Sequence, residues 1–274
     1  MKVVFYKYQA TGNDFVIIDN RLQHFDKENV KLVAKLCDRK FGVGADGLIL
    51  LENDADSDFK MIYFNADGNL GSMCGNGSRC IIAFANHLGI IENKCSFQAY
   101  DGLHSGEILE ELTENDFQVK VSMQNVNDIE VAQHVFLDTG SPHFVCFVDD
   151  VDEVDVIESG RAVRYNEKFK SEGTNVDFVT VSNNQLSIRT YERGVEDETL
   201  SCGTGVTASV IAAASKNLIT TSGLVSVKSK GGDLKVYFEK EGDAFNNIFL
   251  EGAVQKVFSG TFNLANNKVD SSYA

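Results

Sequence analysis

Cys74-Gly75-Asn76-Gly77 and Cys202-Gly203-Thr204-Gly205 are the two stretches on which the fold turns, because the chain writes the same Cys-Gly-x-Gly signature twice. The offset between them is 202 − 74 = 128 residues, and other landmarks share it. Tyr63 precedes Cys74 by 11 positions and Tyr191 precedes Cys202 by 11. Subtracting 128 from Thr139-Gly140-Ser141 lands on Thr11-Gly12-Asn13, and both triplets run soon into Phe-Val, at Phe15-Val16 and Phe144-Val145. Landmarks with one common offset mark a duplicated architecture of two similar halves, each of ordinary domain size. The spacing predicts a boundary near residue 118, with no Pro-rich or Ser-rich linker to signal it.

Working outward, each half predicts strands and helices in a like order. Alternating or β-branched runs at Val3–Tyr8, Phe15–Asp19, Leu48–Leu51 and Lys60–Phe64 read as strands. So do His134–Leu137, Phe144–Val148, Phe178–Val181, Leu186–Tyr191 and Leu224–Lys228. A helix is predicted over about Glu28 to Asp38, with Val30, Val33, Ala34 and Cys37 on one face. A second follows Cys74, with Ile81, Phe84, Ala85 and Leu88 at the spacing of one buried face. The helix from about Gly203 to Asn217 is apolar on almost every side, the pattern of a helix enclosed by sheet. The expectation is an α/β chain of α+β type. It has two pseudo-symmetric domains, each a curved mixed sheet around a central helix, with an active site in the cleft between them.

Composition narrows the function. The 274 residues carry 25 basic and 40 acidic side chains, a net charge of −15 that disfavours nucleic acid as a partner. No apolar run reaches the length of a membrane span, and Lys7 interrupts the apolar start of the chain, so the expected location is the cytoplasm. Six cysteines with no Cys-x2-Cys pair, and five scattered histidines, predict neither disulfides nor a metal.

A lone cysteine is most often a small buried hydrophobe. That reading is taken for Cys37, Cys80, Cys95 and Cys146. Cys74 and Cys202 differ because each is placed at the start of a helix beside glycine. Unpaired N–H groups there favour a thiolate and also cradle a carboxylate. A thiolate on one face of an α-carbon and a thiol on the other is the apparatus for inverting that centre by proton transfer.

At this point the residues resemble the diaminopimelate epimerase family. The resemblance rests on Gly12-Asn13-Asp14-Phe15, Phe41-Gly42-Val43-Gly44-Ala45-Asp46-Gly47, Asn65-Ala66-Asp67-Gly68 and Met73-Cys74-Gly75-Asn76-Gly77. Pro142-His143, Asn175, Tyr191-Glu192-Arg193-Gly194 and Glu198-Thr199-Leu200-Ser201-Cys202-Gly203-Thr204-Gly205 continue it in order. It implies conversion of LL-2,6-diaminopimelate to the meso form, in lysine and peptidoglycan precursor synthesis, without pyridoxal phosphate, other cofactor or metal. It implies a homodimer, and a last segment from about residue 256 that returns to the first domain, leaving 119–255 as the second.

Carried over by position, Cys74 and Cys202 resemble the two catalytic groups. Gly75, Asn76, Gly203 and Thr204 resemble the cradle of the reacting carboxylate, and Asn13, Asn65 and Asn175 polar contacts to substrate. Arg193 fits a distal carboxylate, Glu192 a substrate ammonium, and Glu192 and His143 resemble groups that tune the thiols. The plainer alternatives are turn residues for Asn13 and Asn65, an exposed side chain for His143, and a surface pair for Glu192 and Arg193. Ser141, where the family more often has Asn, and Leu70, where an acid is expected, depart from the pattern. A proline or hydroxyproline racemase lacks the Glu-Arg pair, and a phenazine-type isomerase usually lacks the cysteines. A closing amino-acid-binding protein has no use for two thiols, and a Cys74–Cys202 disulfide is read as inactivation.

Overall fold

The computed structural model describes residues 2–220, 222–263 and 268–272, with side chains through residue 263. The chain forms two compact units, Met1–Val121 with Ala253–Ala274, and Ser122–Gly252.

In the first unit β1 (Lys2–Ala10), β2 (Asn13–Asp19), β3 (Gly47–Glu52), β4 (Phe59–Asn65), β5 (Lys94–Ala99), β6 (Gly102–Glu111) and β7 (Asp116–Ser122) pair each with the next. Residues 253–263 of the strand Ala244–Asn263 pair with β7 at one end and with β1 over the rest, which closes the sheet into a ring. The two parallel pairings, β2 with β3 and β4 with β5, each need a crossover, supplied by α1 (Val30–Cys37) and α2 (Gly75–His87).

Helix α2 runs inside the ring, so every residue from Gly75 to Ala85 is buried. The sequence predicts a single buried face; enclosure on all sides is what buries the rest, Arg79 included. Helix α1 lies on the outer surface. Val16 and Ile18 of β2 and Leu48 and Leu50 of β3 turn outward to meet its Val33, Leu36 and Cys37. Alternate residues point inward: Phe15 and Ile49 lie against the start of α2 at Gly77. The predicted face of α1 is therefore rotated, since Val30 is exposed in the first turn and Leu36 takes part in the core.

The second unit repeats the pattern. β8 (Ile129–Val131), β9 (Val135–Asp138), β10 (Pro142–Phe147), β11 (Asn175–Ser182) and β12 (Gln185–Glu192) pair in order. A short β13 (Asp197–Thr199) pairs with β12, and β14 (Gly223–Ser229), β15 (Gly232–Glu241) and residues 244–252 of β16 (Ala244–Asn263) continue the sheet from β12. Backbone bonds from Met123 and Val126 to Ile248 and Phe245 close it again. The parallel steps β10 to β11 and β12 to β14 are bridged by α3 (Val156–Arg164) and α4 (Gly203–Ser215), and α4 is buried from Gly203 to Ala214. The order of antiparallel and parallel pairings from β1 to β6 thus recurs from β9 to β15. Segments 94–122 and 232–263, unassigned from sequence, are the long hairpin strands that complete each ring. No helix among the described residues is long and apolar enough to cross a membrane.

Candidate active site

Each cysteine is the N-cap of its enclosed helix, held extended at φ −125° for Cys74 and −113° for Cys202. This is the placement expected where glycines follow and the first helical N–H groups are left open.

In the first unit the Gly77 N–H donates to Cys74 Sγ at 3.4 Å, and the thiol in turn reaches Asn13 Oδ1 at 3.8 Å. Asn13 begins β2. Its Oδ1 also accepts from Asn76 Nδ2 at 3.3 Å, and its Nδ2 donates to Asp46 at 2.8 Å. Both halves of the amide are thus assigned, so Asn13 is more than a turn residue. Asp46 belongs to a charged cluster: Arg39 bridges it (2.6 Å) and Asp14 (2.7 Å), and Lys7 meets Asp14 at 2.6 Å while donating also to the Gly44 carbonyl. Burial alone would raise the Asp14 carboxyl, but hydrogen bonds from Arg39 and Lys7 outweigh it and hold the group at about 2.

Behind Cys74 lies Arg79, wholly buried. It donates to Asn76 Oδ1 (3.0 Å), Gly75 O (3.3 Å) and Thr11 Oγ1 (3.4 Å), and it forms no ion pair among the described residues. Burial brings its guanidinium down to about 10, against the attraction of the Cys80 and Cys74 sulfurs. Asn65 is placed differently, at the head of a tight turn in which the Gly68 N–H donates to the Asn65 carbonyl at 2.9 Å. Its side chain is exposed and approaches Gly71.

In the second unit the sheet gathers His143, Asn175 and Asp177 on one face. His143 stands opposite Asn175 across the parallel pair, and Asp177 lies two residues along. His143 Nδ1 is 2.7 Å from Asp177 Oδ2, and Nε2 is 2.9 Å from Thr204 Oγ1. Thr204 Oγ1 is 3.4 Å from Cys202 Sγ. Thr190, opposite Asp177 on β12, donates to its other oxygen at 2.7 Å. His143 and Asp177 are both fully buried, so the exposed-histidine alternative is wrong: β10 carries the side chain inward toward α4. The Cys202 thiol is pushed well up by burial, then by the Glu192 and Asp177 carboxylates, which together outweigh the hydrogen bond from the Gly205 N–H.

Asn175 ties this group to the β12 turn. Its Oδ1 accepts from the Arg193 N–H at 2.9 Å, and its Nδ2 reaches Ser141 Oγ at 3.0 Å and Pro142 O at 3.1 Å. Arg193 rests its guanidinium on Glu172 O (3.0 Å) and Ser141 Oγ (3.3 Å). Ser141 therefore serves two partners as an acceptor. Leu70 instead lines a half-open pocket of about 300 Å³ with Val30, Ile62 and Phe64, beside Lys27 and Glu28.

The sequence reading missed Arg79, Asp46, Asp177 and Thr190. The signal for Asp177 was present, an acid set between Val176 and Phe178, since a carboxylate inside an apolar strand needs a partner. Among the described residues no group of His, Cys, Asp and Glu is arranged to hold a metal ion.

A model of the diaminopimelate epimerase family matches the chain over residues 5–129 and again over 135–257. A diaminopimelate epimerase of Flavobacterium psychrophilum is 53% identical over 258 residues, covering 93% of this chain and 98% of that protein. One from Aquifex aeolicus is 43% identical, covering 93% and 96%. Among solved structures, a hydroxyproline epimerase from Agrobacterium vitis matches with a TM-score of 0.73 at 13% identity, covering 97% of this chain and 96% of that one. A phenazine biosynthesis protein of the PhzF family from Bacillus anthracis matches with a TM-score of 0.72 at 14% identity, covering 96% and 100%. At such identities these structures speak for the fold alone, one of paired pseudo-symmetric domains.

Proposed function

The chain belongs to the diaminopimelate epimerase family, and on that premise we propose that it converts LL-2,6-diaminopimelate to the meso isomer with Cys74 and Cys202 as its acid/base pair. The carrying observation is the twin placement: two cysteines, each capping a buried helix beside its own set of polar donors. Inversion needs two groups acting on opposite faces of the α-carbon. The thiolate takes the α-proton, breaking C–H and forming S–H, and the other thiol gives its proton to the opposite face, breaking S–H and forming C–H. Each such transfer contributes roughly 10²–10⁴ in rate.

Negative charge develops on the reacting carboxylate as the proton leaves. The N–H groups of Gly75, Asn76, Gly203 and Thr204, at helix starts, suit that charge. Asn13, Asn65 and Asn175 are assigned to polar contacts with substrate, Arg193 to the distal carboxylate and Glu192 to an ammonium. Arg193 offers a planar fork for two parallel bonds, already steadied by Glu172 O and Ser141. His143 and Glu192 are assigned to tuning the thiols, and a homodimer, read by light scattering, is the proposed assembly.

The test is α-proton exchange in deuterium oxide, followed by NMR on LL-diaminopimelate with the reduced protein, Cys74→Ala and Cys202→Ala. Exchange with formation of the meso isomer, lost in both variants, is the expected result. Binding without exchange, or exchange that survives both substitutions, overturns the assignment.

A further inference from the structure

We propose that Asp177 is a positioning residue for this reaction: it locks His143 as the Nδ1–H tautomer, and so builds a one-way hydrogen-bond line, Cys202 to Thr204 to His143 to Asp177, that keeps the proton on Cys202 in the resting enzyme. The inference rests on the acid/base reading of Cys202 and adds what sets its starting state.

The direction of the line follows from counting donors. An ionised carboxylate only accepts. One Asp177 oxygen takes the Thr190 hydroxyl at 2.7 Å, and the other faces His143 Nδ1 at 2.7 Å, so the ring proton sits on Nδ1. Nε2 is then the acceptor, and its surroundings agree independently. Asn175 Nδ2, which can only donate, lies 3.3 Å from it, and Thr204 Oγ1 lies 2.9 Å from it. Thr204 has one hydroxyl proton, and His143 claims it. What the Thr204 oxygen has left to offer Cys202, 3.4 Å away, is a lone pair, so the sulfur supplies the proton.

The inner end of this line is shut off from water: His143 and Asp177 have no exposed side-chain surface, while Thr204 and Cys202 remain 6% and 9% exposed. Water therefore cannot rearrange the donors around the ring, and the carboxylate decides the tautomer. The charges around Cys202 act the same way, since Glu192 and Asp177 both oppose a thiolate there. Substitution of Asp177 by Asn keeps the shape but presents an amide. Thr190 continues to donate to the oxygen, which turns the NH₂ toward His143 Nδ1. The ring proton moves to Nε2, Thr204 rotates to donate toward Cys202, and the line runs backwards, favouring the thiolate.

Nitrogen-15 NMR of the imidazoles reads the tautomer directly. With His143 assigned by its absence in His143→Gln, the wild-type protein is expected to show Nδ1 protonated and Nε2 bare. In Asp177→Asn the expected result is a protonated Nε2. Alkylation of Cys202 by iodoacetamide at neutral pH, measured by peptide mass spectrometry, should then run about tenfold faster while kcat falls. The fall should stay below the roughly 10⁴ that a wrong histidine tautomer costs a hydrolytic triad, because His143 reaches the sulfur only through Thr204. Cys146, buried in the same unit, should stay as unreactive as in the wild type, whereas loosening of the fold would speed both thiols.

A wild-type Nε2–H tautomer overturns the proposal without any variant having to fold. An Asp177→Asn protein with unchanged tautomer and unchanged Cys202 reactivity overturns it as well. Failure of the epimerase reading is seen separately, in retained exchange by Cys202→Ala.

Discussion

A Cβ built on Gly205 would lie 2.6 Å from Asp177 Oδ1 and 3.1 Å from His143 Cε1. The last glycine of the second Cys-Gly-x-Gly is therefore the gap through which strand β11 reaches the helix. Its counterpart Gly77 faces Ile49 Cδ1 at 3.0 Å and Met61 Cε at 3.3 Å, the far ends of flexible side chains. Gly205→Ala must displace a buried carboxylate, whereas Gly77→Ala displaces methyl groups. The expected cost of Gly205→Ala is about 2–3 kcal/mol, against about 1 kcal/mol or less for Gly77→Ala. Urea midpoints of the two variants, with kcat beside them, check the contrast; equal costs would refute it.

Arg79 and Cys74 give a second prediction. The buried guanidinium, with no carboxylate partner among the described residues, holds Asn76, and through it Asn13, while its charge attracts a Cys74 thiolate. Arg79→Met should slow alkylation of Cys74 and lower kcat/KM by about tenfold or more, the equivalent of roughly 1.4 kcal/mol. Arg79→Lys keeps the charge but loses the fork, so it should fall between. Alkylation of Cys74 as fast in Arg79→Met as in the parent would remove the electrostatic part of the argument.

Much of this was readable from the chain, and the reason is physical. The duplicated cysteines, their glycines and the helix made wholly of small and apolar residues are local patterns, and each specifies a local structure. Arg79 was not readable, because its spacing fits an ordinary exposed position until the sheet closes around α2. Asp177 meets His143 from 34 residues away, a partnership made only by the parallel pairing of β10 with β11. The face of α1 was misjudged for a similar reason: Val30 belongs to the apolar pattern, but the helix starts at Asn29, whose side chain caps it, and Val30 stays exposed in the first turn. Ring closure itself depends on pairings between distant ends, Lys2 with Asn263 among them, which no local period encodes.

Ser141 separates binding from chemistry. Its hydroxyl receives both Asn175 Nδ2 and Arg193. Ser141→Ala should raise KM by about three- to tenfold, the worth of one hydrogen bond to a charged group reduced by partial exposure. The kcat should change by less than about twofold if Arg193 acts only in uniform binding. Ser141→Asn, which restores an acceptor of greater reach, should recover most of the loss. Steady-state kinetics on the three proteins decides it, and a fall confined to kcat would place Ser141 in the chemistry instead.

The Lys7–Asp14 pair, nearly buried and 2.6 Å apart, links acid stability to the Asn13 site. The Asp14 carboxyl sits at about 2, below the value near 3.9 of an unfolded aspartate. A depressed folded value contributes stability that is complete above about pH 4 and is lost as pH falls toward 2. That contribution should amount to about 1–2 kcal/mol after allowance for mutual coupling with Arg39. Asp14→Asn removes it and also strands the Lys7 ammonium, which burial already pulls below its usual value. At pH 7 the variant should lose about 3 kcal/mol, the scale of breaking a buried pair from one side. The stranded lysine has the opposite pH dependence: its folded value lies below its unfolded one, so the unfolded chain binds the extra proton and stability rises with pH. Asp14→Asn should therefore regain stability between pH 7 and 10, lie closer to the parent at pH 3 than at pH 7, and converge on it only as pH falls to about 2. Lys7→Met combined with Asp14→Asn should recover part of the loss at pH 7, because it removes the charge left without a partner. Urea midpoints at pH 3, 7 and 9.5 for the three proteins test the whole scheme, and a double variant no more stable than Asp14→Asn would show that the cost lies in Arg39 and Asp46 rather than in Lys7.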